Sequence, residues 1–146
     1  HIIIEMIRKS ENRDIDAILK IWLSASIKAH NFIESNFWES QVEQMRKVYL
    51  PASEIFVYDQ NNLITGFYAL FDNKLAALFV EPEFQGKGIG KELLKHAKNQ
   101  RDFLILTVYK ANESSCRFYL NNGFKIKKEQ IDVNTGHTEL VMSTES

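Results

Sequence analysis

The chain has 146 residues, of which 45% are apolar and 12% aromatic, so it suits one compact domain with its own core and leaves little room for a second. Its 18 basic and 19 acidic side chains leave a formal charge of −1, which excludes an overall field of the kind that attracts nucleic acid or an anionic membrane. The single cysteine excludes an internal disulfide, and no stretch has the length of a membrane span or a signal peptide, so we expect a cytoplasmic protein.

The N-terminal part begins with a strand and continues as two helices. Residues 6–10 are predicted to form the strand, and residues 1–5 either extend it or are an added N-terminal extension. Asp14 is the expected N-cap of a helix whose apolar residues lie on one face of a 3.6-residue period. Those residues are Ile15, Ile18, Leu19, Trp22 and Leu23. Residues 34–49 predict a second helix that ends before Pro51.

The middle of the chain changes to strand patterns from residue 55 to residue 81. Three apolar runs are interrupted by Gln60-Asn61-Asn62 and by Asp72-Asn73, which predicts an antiparallel meander. A helix over 90–99 followed by a strand over 103–109 then predicts a right-handed crossover and a parallel strand pair.

The C-terminal segment completes the predicted sheet. A short helix over 113–122 ends at Gly123, which suits the left-handed position after a helix, and strands over 124–131 and 137–143 form a hairpin. The sequence therefore predicts an α/β fold with a mixed central sheet.

A glycine-dense turn joins the strand that ends near Val80 to the helix that follows. Gly86, Gly88 and Gly90 let main-chain N–H groups converge without Cβ atoms in the way, and the helix adds unpaired donors and the positive end of its dipole. A phosphate or pyrophosphate is the expected ligand, although three glycines also suit a tight connection that binds nothing.

Spacing excludes two common phosphate-binding motifs at this turn. A P-loop requires Ser or Thr after Gly-Lys, but Glu92 follows Gly90-Lys91, and Gln85 stands where its first glycine belongs. The dinucleotide motif requires Gly-x-Gly-x-x-Gly, whereas this chain has Gly-x-Gly-x-Gly. A tight turn needs neither Gln85 nor Lys87, so both residues favour a ligand.

Two motifs resemble the GCN5-related N-acetyltransferases (GNAT), in particular the small bacterial members of the YiaC and YjaB type. Gln85-Gly86-Lys87-Gly88-Ile89-Gly90 matches the family signature Gln/Arg-x-x-Gly-x-Gly/Ala, and Asn112 through Tyr119 to Gly123-Phe124 looks like Asn-x6-Tyr-x3-Gly-Phe. The finer likeness lies in Trp22-Leu23, Ala29-His30, Phe32-Ile33 and Tyr49-Leu50. The resemblance implies one N-acetyltransferase domain over 6–146, with about seven strands and about four helices, and acetyl-CoA as the cofactor.

The resemblance also implies how coenzyme A is bound. Its pyrophosphate is expected on the amides of residues 85–90, with Lys87 or Lys91 adding positive charge, and its pantetheine arm beside Phe79 and Val80. Asn112 is expected to hold the arm from the opposite side, in addition to the simpler role of helix N-cap. The full expected set is Leu78, Phe79, Val80, Gln85, Gly86, Lys87, Gly88, Ile89, Gly90, Lys91, Asn112, Ser115 and Tyr119.

Tyr119 is the expected catalytic residue. A tyrosine on an amphipathic helix is by itself most often a core aromatic, but in the family motif its phenol protonates the leaving thiolate while a main-chain N–H, here that of Val80, stabilises the oxyanion. The general base stays open, because Thr107 stands where several relatives have a glutamate. The candidates are Glu34, Glu81, Glu139, His30 and an amine that enters already deprotonated.

Several other residues keep simpler interpretations. Cys116 is expected to be a small apolar contact and not a nucleophile. The four histidines, His1, His30, His96 and His137, lack the spacing of metal ligands, so we expect no metal. The acceptor pocket is expected to be walled by His30, Phe32, Phe37, Trp38, Tyr68 and Tyr109.

Three functions remain open on the sequence alone. They are an acetyltransferase for a primary amine of a small molecule or protein, an acyl-CoA sensor without turnover, and an unrelated nucleotide-binding protein. No nucleic acid or membrane partner is expected. A monomer and a homodimer are equally compatible with the sequence, because a strand edge near residues 124–143 can pair or stay solvated.

Overall fold

The computed structural model describes residues 5–146, so the question whether residues 1–4 extend the first strand lies outside the described residues. Seven strands form one sheet in the order β1-β2-β3-β4-β5-β7-β6. They are β1 (Glu5–Lys9), β2 (Glu54–Gln60), β3 (Leu63–Phe71), β4 (Lys74–Val80), β5 (Ile105–Tyr109), β6 (Lys125–Ile131) and β7 (Thr138–Ser143). Only β4 and β5 pair in parallel within these residues, which confirms the predicted mixed sheet.

Helices cover both faces of the sheet. They are α1 (Ile15–Ala29), α2 (Ser35–Ser40), α3 (Val42–Gln44), α4 (Leu50–Ala52), α5 (Ile89–Lys98) and α6 (Glu113–Asn121), with a π-helical turn over Met45–Tyr49 and 3-10 turns over Asn12–Asp14 and Pro82–Phe84. If the run from α2 to α4 is taken as one segment, four helical segments flank the sheet, as predicted. In the part of the chain from residue 5 onward, no helix combines the length and the apolar character that crossing a membrane requires.

Adjacent residues of β3 pack into two different cores. Phe67 and Tyr68 are both fully buried, yet Phe67 belongs to the core beneath α1, with Ile18, and Tyr68 to the core beneath α5, with Leu93. Successive strand side chains point to opposite faces, so the apolar β3 contributes to both cores.

Asp14 does not cap α1 with its side chain, contrary to the prediction. Its carboxylate accepts hydrogen bonds from Arg8 Nη1 and from the Glu11 N–H, both at 2.8 Å. The Arg8 guanidinium lowers the pKa of Asp14, and it also donates to Asp59 on β2 at 2.9 Å. Asp14 therefore ties the start of α1 to the β1–β2 edge of the sheet, because an arginine is within reach and competes for its oxygens.

The predicted helix over 34–49 is interrupted and does not end before Pro51. Gln41 separates α2 from α3, and the chain continues through the π-helical turn to Ala52. Pro51 is accommodated because it lies in the first turn of α4, where a missing N–H removes no hydrogen bond within that helix.

The strands β4 and β5 diverge toward their carboxyl ends. Within residues 5–146 their register pairs only Lys74 with Ile105, and the Ile105 N–H donates to Asn73 O at 2.9 Å. Beyond this pair a gap opens between the ends at Val80 and Tyr109. The candidate functional site is built around this gap.

Candidate functional site

The turn from β4 to α5 presents open space at two glycines. Gly86 has φ 80° and Gly88 has φ 85°, and a Cβ built on either would meet no atom within 4 Å. Gly90 differs from the expectation, because it is a helical residue of α5, where a Cβ would lie 3.8 Å from Val80 and Phe118. The left-handed backbone at Gly86 and Gly88 therefore forms a concave surface without a Cβ in front of it.

Gln85 and Lys28 hold this turn from the side of α1. Gln85 Nε2 donates to Val80 O at 3.0 Å, and Gln85 Oε1 accepts from Lys28 Nζ at 3.2 Å. Sequence reasoning missed Lys28, since it lies 57 residues before Gln85 and belongs to no motif. Of the two lysines it proposed instead, Lys87 lies over the Phe84 ring at 5.4 Å and Lys91 is exposed at the start of α5.

The pairing of β3 with β4 decides which peptide groups face the gap. Val80 is opposite Gly66, and the neighbouring Glu81 N–H donates to Thr65 O at 2.8 Å. This is the pattern of an antiparallel pair that is not itself hydrogen-bonded. The main-chain groups of Val80 therefore point away from β3 and toward the gap.

Alternation along β4 then corrects one expected contact. Phe79 is opposite Phe67 in the next pair of the register, which is a hydrogen-bonded pair. The main-chain groups of Phe79 are therefore directed to β3 and are not free for a ligand. Leu78 presents its main-chain groups to the gap instead. Val80 O accepts from Gln85 Nε2, whereas the Val80 N–H faces the gap.

Two cavities meet at the gap. The loop cavity has a volume of about 540 Å³ and is lined by Lys28, the turn at residues 84–91 and the start of α6. The gap cavity has a volume of about 270 Å³. Its polar and aromatic lining comprises Trp22, His30, Trp38, Phe79, Thr107, Tyr109, Asn112, Ser115, Tyr119, Asp132 and Glu139. Both cavities are also lined by Leu78 and Phe79 and share Asn112 and Ser115, so they adjoin and form one cleft.

Tyr119 lines the gap cavity from α6. Its ring contacts Phe118 and Phe124 at centroid distances of 5.3 and 5.4 Å. Burial raises the pKa of the Tyr119 phenol above its ordinary value, so the hydroxyl stays protonated at neutral pH. Among residues 5–146 no group forms a hydrogen bond with this hydroxyl. The Tyr119 hydroxyl therefore lines the gap cavity without a hydrogen-bond partner among the described residues.

Asn112 is the N-cap of α6, one of the two roles that the sequence suggested. Its Oδ1 accepts from the Ser115 N–H at 3.3 Å, which caps α6, and its Nδ2 lies 3.4 Å from His30 Nε2. Asn112 is buried and lines both cavities.

His30 is enclosed by aromatic rings. It stacks on Trp38 at 4.9 Å and makes edge contacts with Tyr109 at 5.2 Å and Phe32 at 5.8 Å. Burial lowers the pKa of His30 to about 4, so the ring is neutral at pH 7. Trp38 Nε1 is buried without a hydrogen-bond partner among the described residues.

Tyr68 does not belong to the acceptor pocket, contrary to the expectation. It is fully buried on the α5 face, and its hydroxyl lies 2.6 Å from His96 Nδ1. Phe32 and Phe37 contact His30 and Trp38 but line neither of the two cavities.

The four candidate bases lie in different parts of the structure. Glu139 and His30 line the gap cavity, whereas Glu81 lines a different cavity of about 550 Å³ beside Arg8 and Asn62. Glu34 is exposed at the start of α2. Sequence reasoning missed Asp132, which also lines the gap cavity, because a residue in a hairpin loop carries no motif.

Cys116 is buried, and its Sγ lies 3.5 Å from Tyr109 O. Burial raises the pKa of the thiol, which favours the unreactive protonated form. Between residues 5 and 146 no group of three or more His, Cys, Asp or Glu side chains is arranged to hold a metal ion.

Comparisons with known proteins agree on one family. Residues 51–126 match the model of the acetyltransferase (GNAT) domain. The chain is 33% identical over 122 residues to the peptidyl-lysine N-acetyltransferase YiaC of Escherichia coli K12, covering 83% of this chain and 84% of that protein. It is 31% identical over 122 residues to the peptidyl-lysine N-acetyltransferase YjaB of Salmonella typhimurium LT2, covering 82% and 83%.

Solved structures show the same fold. The solution structure of apo YjaB from Escherichia coli matches with a TM-score of 0.85 and 24% identity, covering 97% of both chains. The PaiA N-acetyltransferase from Thermoplasma acidophilum, solved in complex with coenzyme A, matches with a TM-score of 0.81 and 20% identity, covering 98% of this chain and 99% of that one.

Proposed function

Because this chain belongs to the GNAT family and is an acetyl-CoA-dependent acyltransferase, we propose that it acetylates the ε-amine of lysine in a peptide or protein, with Tyr119 as general acid. The proposed unit is one domain over residues 6–146. The observation that carries the proposal is the continuous cleft, in which the glycine turn and Tyr119 line adjoining cavities.

The residues of the loop cavity fit coenzyme A. Gly86 and Gly88 leave free the volume that a Cβ would fill, so main-chain N–H groups can approach a pyrophosphate at the start of α5. Lys28 adds a positive charge from α1. Leu78 and Val80 offer main-chain groups at the gap, which supports a pantetheine arm lying there as an additional strand.

When bound, acetyl-CoA supplies an activated acetyl thioester. The Val80 N–H faces the gap and is our proposed donor to the carbonyl oxygen on which negative charge develops. Tyr119 is our proposed donor of a proton to the leaving sulfur, since a tyrosine hydroxyl whose pKa is at or above its ordinary value of about 10 is protonated at neutral pH.

The proposed acceptor approaches through the gap cavity. Asp132 and Glu139 contribute carboxylates there, and His30 and Trp38 contribute aromatic surface, a combination that suits an alkylammonium group on an aliphatic stem. The names of two relatives above 30% identity, both peptidyl-lysine N-acetyltransferases, support lysine as the acceptor.

The test is release of free thiol from acetyl-CoA with a panel of blocked lysine peptides and small amines. We expect lysine peptides to be acetylated, with acetyllysine identified by mass spectrometry. Binding of coenzyme A without thiol release for any amine would contradict catalysis and favour an acyl-CoA sensor. Displacement of the bound ligand by ATP or NAD in preference to coenzyme A would contradict the cofactor assignment.

A further inference from the structure

We propose that Glu139 is the acceptor-binding residue, whose carboxylate binds the ammonium group of the lysine that enters the gap cavity. This role rests on the proposed function, because it assigns a residue to the acceptor side of the same cleft.

The charges of the gap cavity are not balanced within the protein. Asp132 and Glu139 both line it, and neither forms an ion pair with any cation of residues 5–146. Lys110, which follows β5, pairs with Glu129 at 2.6 Å. Two uncompensated carboxylates in a partly enclosed cavity repel an anion and attract a cationic ligand.

The two carboxylates differ in the hydrogen bonds that their oxygens accept. Asp132 accepts from the Tyr109 hydroxyl at one oxygen and from the Asn134 N–H, at 2.9 Å, at the other. Glu139 accepts from Gln130 Nε2 at 2.7 Å through Oε1 alone, so its Oε2 has no partner among the described residues. Of the two residues, Glu139 therefore has the carboxylate oxygen without any hydrogen-bond partner among the described residues, and Asp132 orients Tyr109.

Strand register puts Glu139 on the face that the acceptor must use. Glu139 of β7 is opposite Tyr109 of β5, and Val141 is opposite Thr107. Leu140, between them, points to the opposite face and is buried in the core beneath α5. Glu139 therefore lies diagonally across from Thr107, and both residues line the gap cavity.

The aromatic lining of the gap cavity also includes a buried polar atom without a hydrogen-bond partner, which indicates a ligand. His30 and Trp38 are more than nine-tenths buried and both line the cavity, yet Trp38 Nε1 has no hydrogen-bond partner within residues 5–146. Buried polar atoms without partners are uncommon in folded proteins. The flat rings of these residues and Tyr109 suit the methylene stem of a lysine, whose ammonium group then reaches Glu139 Oε2.

The test measures acceptor binding separately from turnover. Wild type and Glu139→Gln are saturated with coenzyme A and titrated by calorimetry with a panel of lysine peptides whose termini are blocked. The glutamine keeps the shape and can still accept from Gln130, so only the charge is removed. We expect Glu139→Gln to weaken peptide binding roughly 10- to 100-fold, the range of one charge-assisted hydrogen bond, and to raise KM far more than it lowers kcat.

Two controls make the result specific. Glu129→Gln removes a carboxylate from the neighbouring strand that is half exposed and lies outside both cavities, and we expect it to bind peptide as wild type does. Norleucine peptides, which lack the ammonium group, should bind wild type and Glu139→Gln equally weakly.

The outcomes separate this inference from the proposed function. If wild type acetylates the peptides and Glu139→Gln binds them as tightly as Glu129→Gln does, the role of Glu139 is wrong and the acetyltransferase assignment stands. If Glu139→Gln weakens lysine and norleucine peptides alike, its effect is structural and the ammonium-binding role is wrong. If wild type neither binds nor acetylates any lysine peptide, the proposed function fails and the role of Glu139 fails with it.

Discussion

Asn112 Nδ2 lies 3.4 Å from His30 Nε2, so the residue that caps α6 also contacts a buried histidine just after α1. An amide N–H donates to an imidazole nitrogen only if that nitrogen carries no proton. The contact therefore requires a neutral His30 with its proton on Nδ1, in agreement with the pKa of about 4. It joins the acceptor side of the cleft to the helix that carries Tyr119.

The burial of His30 makes stability depend on pH. An unfolded histidine has a pKa of about 6.5 and folded His30 has a pKa of about 4, so the unfolded chain binds more protons between these values. The free energy of unfolding should fall as the pH decreases from about 6.5 to about 4, by about 3 kcal/mol in total from this group. Urea denaturation across this range measures it. A His30→Asn variant that loses stability with the same slope as wild type would contradict the assignment.

Replacing Tyr119 by phenylalanine should impair catalysis without impairing cofactor binding. Removal of the only group proposed to protonate the leaving sulfur should lower kcat on the order of 10²-fold, while the Kd for coenzyme A stays within about twofold because the ring remains. Thiol-release assays measure kcat, and calorimetry measures the Kd for coenzyme A. Tyr49→Phe, at a residue that is 54% exposed, is the control. An unchanged kcat for Tyr119→Phe would exclude it as the general acid.

Gly88→Ala should weaken the binding of coenzyme A. A Cβ at φ 85° strains the backbone by about 1–2 kcal/mol and occupies the open space in front of the turn, so we expect Kd to rise about tenfold or more. Gly136→Ala is a matched control, because Gly136 has φ 76° and equally open surroundings in the β6–β7 hairpin loop. Both variants should lose similar stability, and only Gly88→Ala should lose affinity for coenzyme A. Equal Kd values for Gly88→Ala and Gly136→Ala would contradict the assignment of this turn as the coenzyme A site.

Lys28→Gln should weaken coenzyme A binding in a manner that depends on salt. Its ammonium group lines the loop cavity, so its removal should raise Kd roughly three- to tenfold in low salt and less at high ionic strength. Lys20→Gln removes an exposed lysine from the same helix that lines a different cavity, and it should leave Kd unchanged. Titrations at two salt concentrations compare the variants. The same Kd in both variants would show that Lys28 only supports Gln85.

Local patterns predicted the elements that local chemistry determines. The apolar runs of β2 to β4, the left-handed glycine after α6 and the glycine turn after β4 all follow from preferences of neighbouring residues, and the structure agrees with them. Two predictions about helix ends were wrong. Asp14 was expected to cap α1, but Arg8 takes its carboxylate, and Pro51 was expected to end a helix, but the π-helical turn before it lets the helix continue.

The residues of the candidate site were also predictable only where they belong to a local motif. Gln85 to Gly90 and the Asn112–Tyr119 pair lie within two short segments, whose spacing along the chain carried the family resemblance. Tyr68 and Glu139 show the limit of that approach. Both are single residues on strands, and no motif tells which one is sealed in the core and which one lines the cleft.

The sequence by itself determined the fold class, the glycine turn and the cofactor-side motif, because each depends on backbone conformations and contacts between residues close in the chain. Only the tertiary structure decided which peptide groups of β4 face the gap, that Lys28 reaches the turn, and that Asp132 and Glu139 share one cavity with Tyr119. Those relationships depend on strand register and on the divergence of β4 and β5, and a shift of one residue in register turns every side chain to the opposite face.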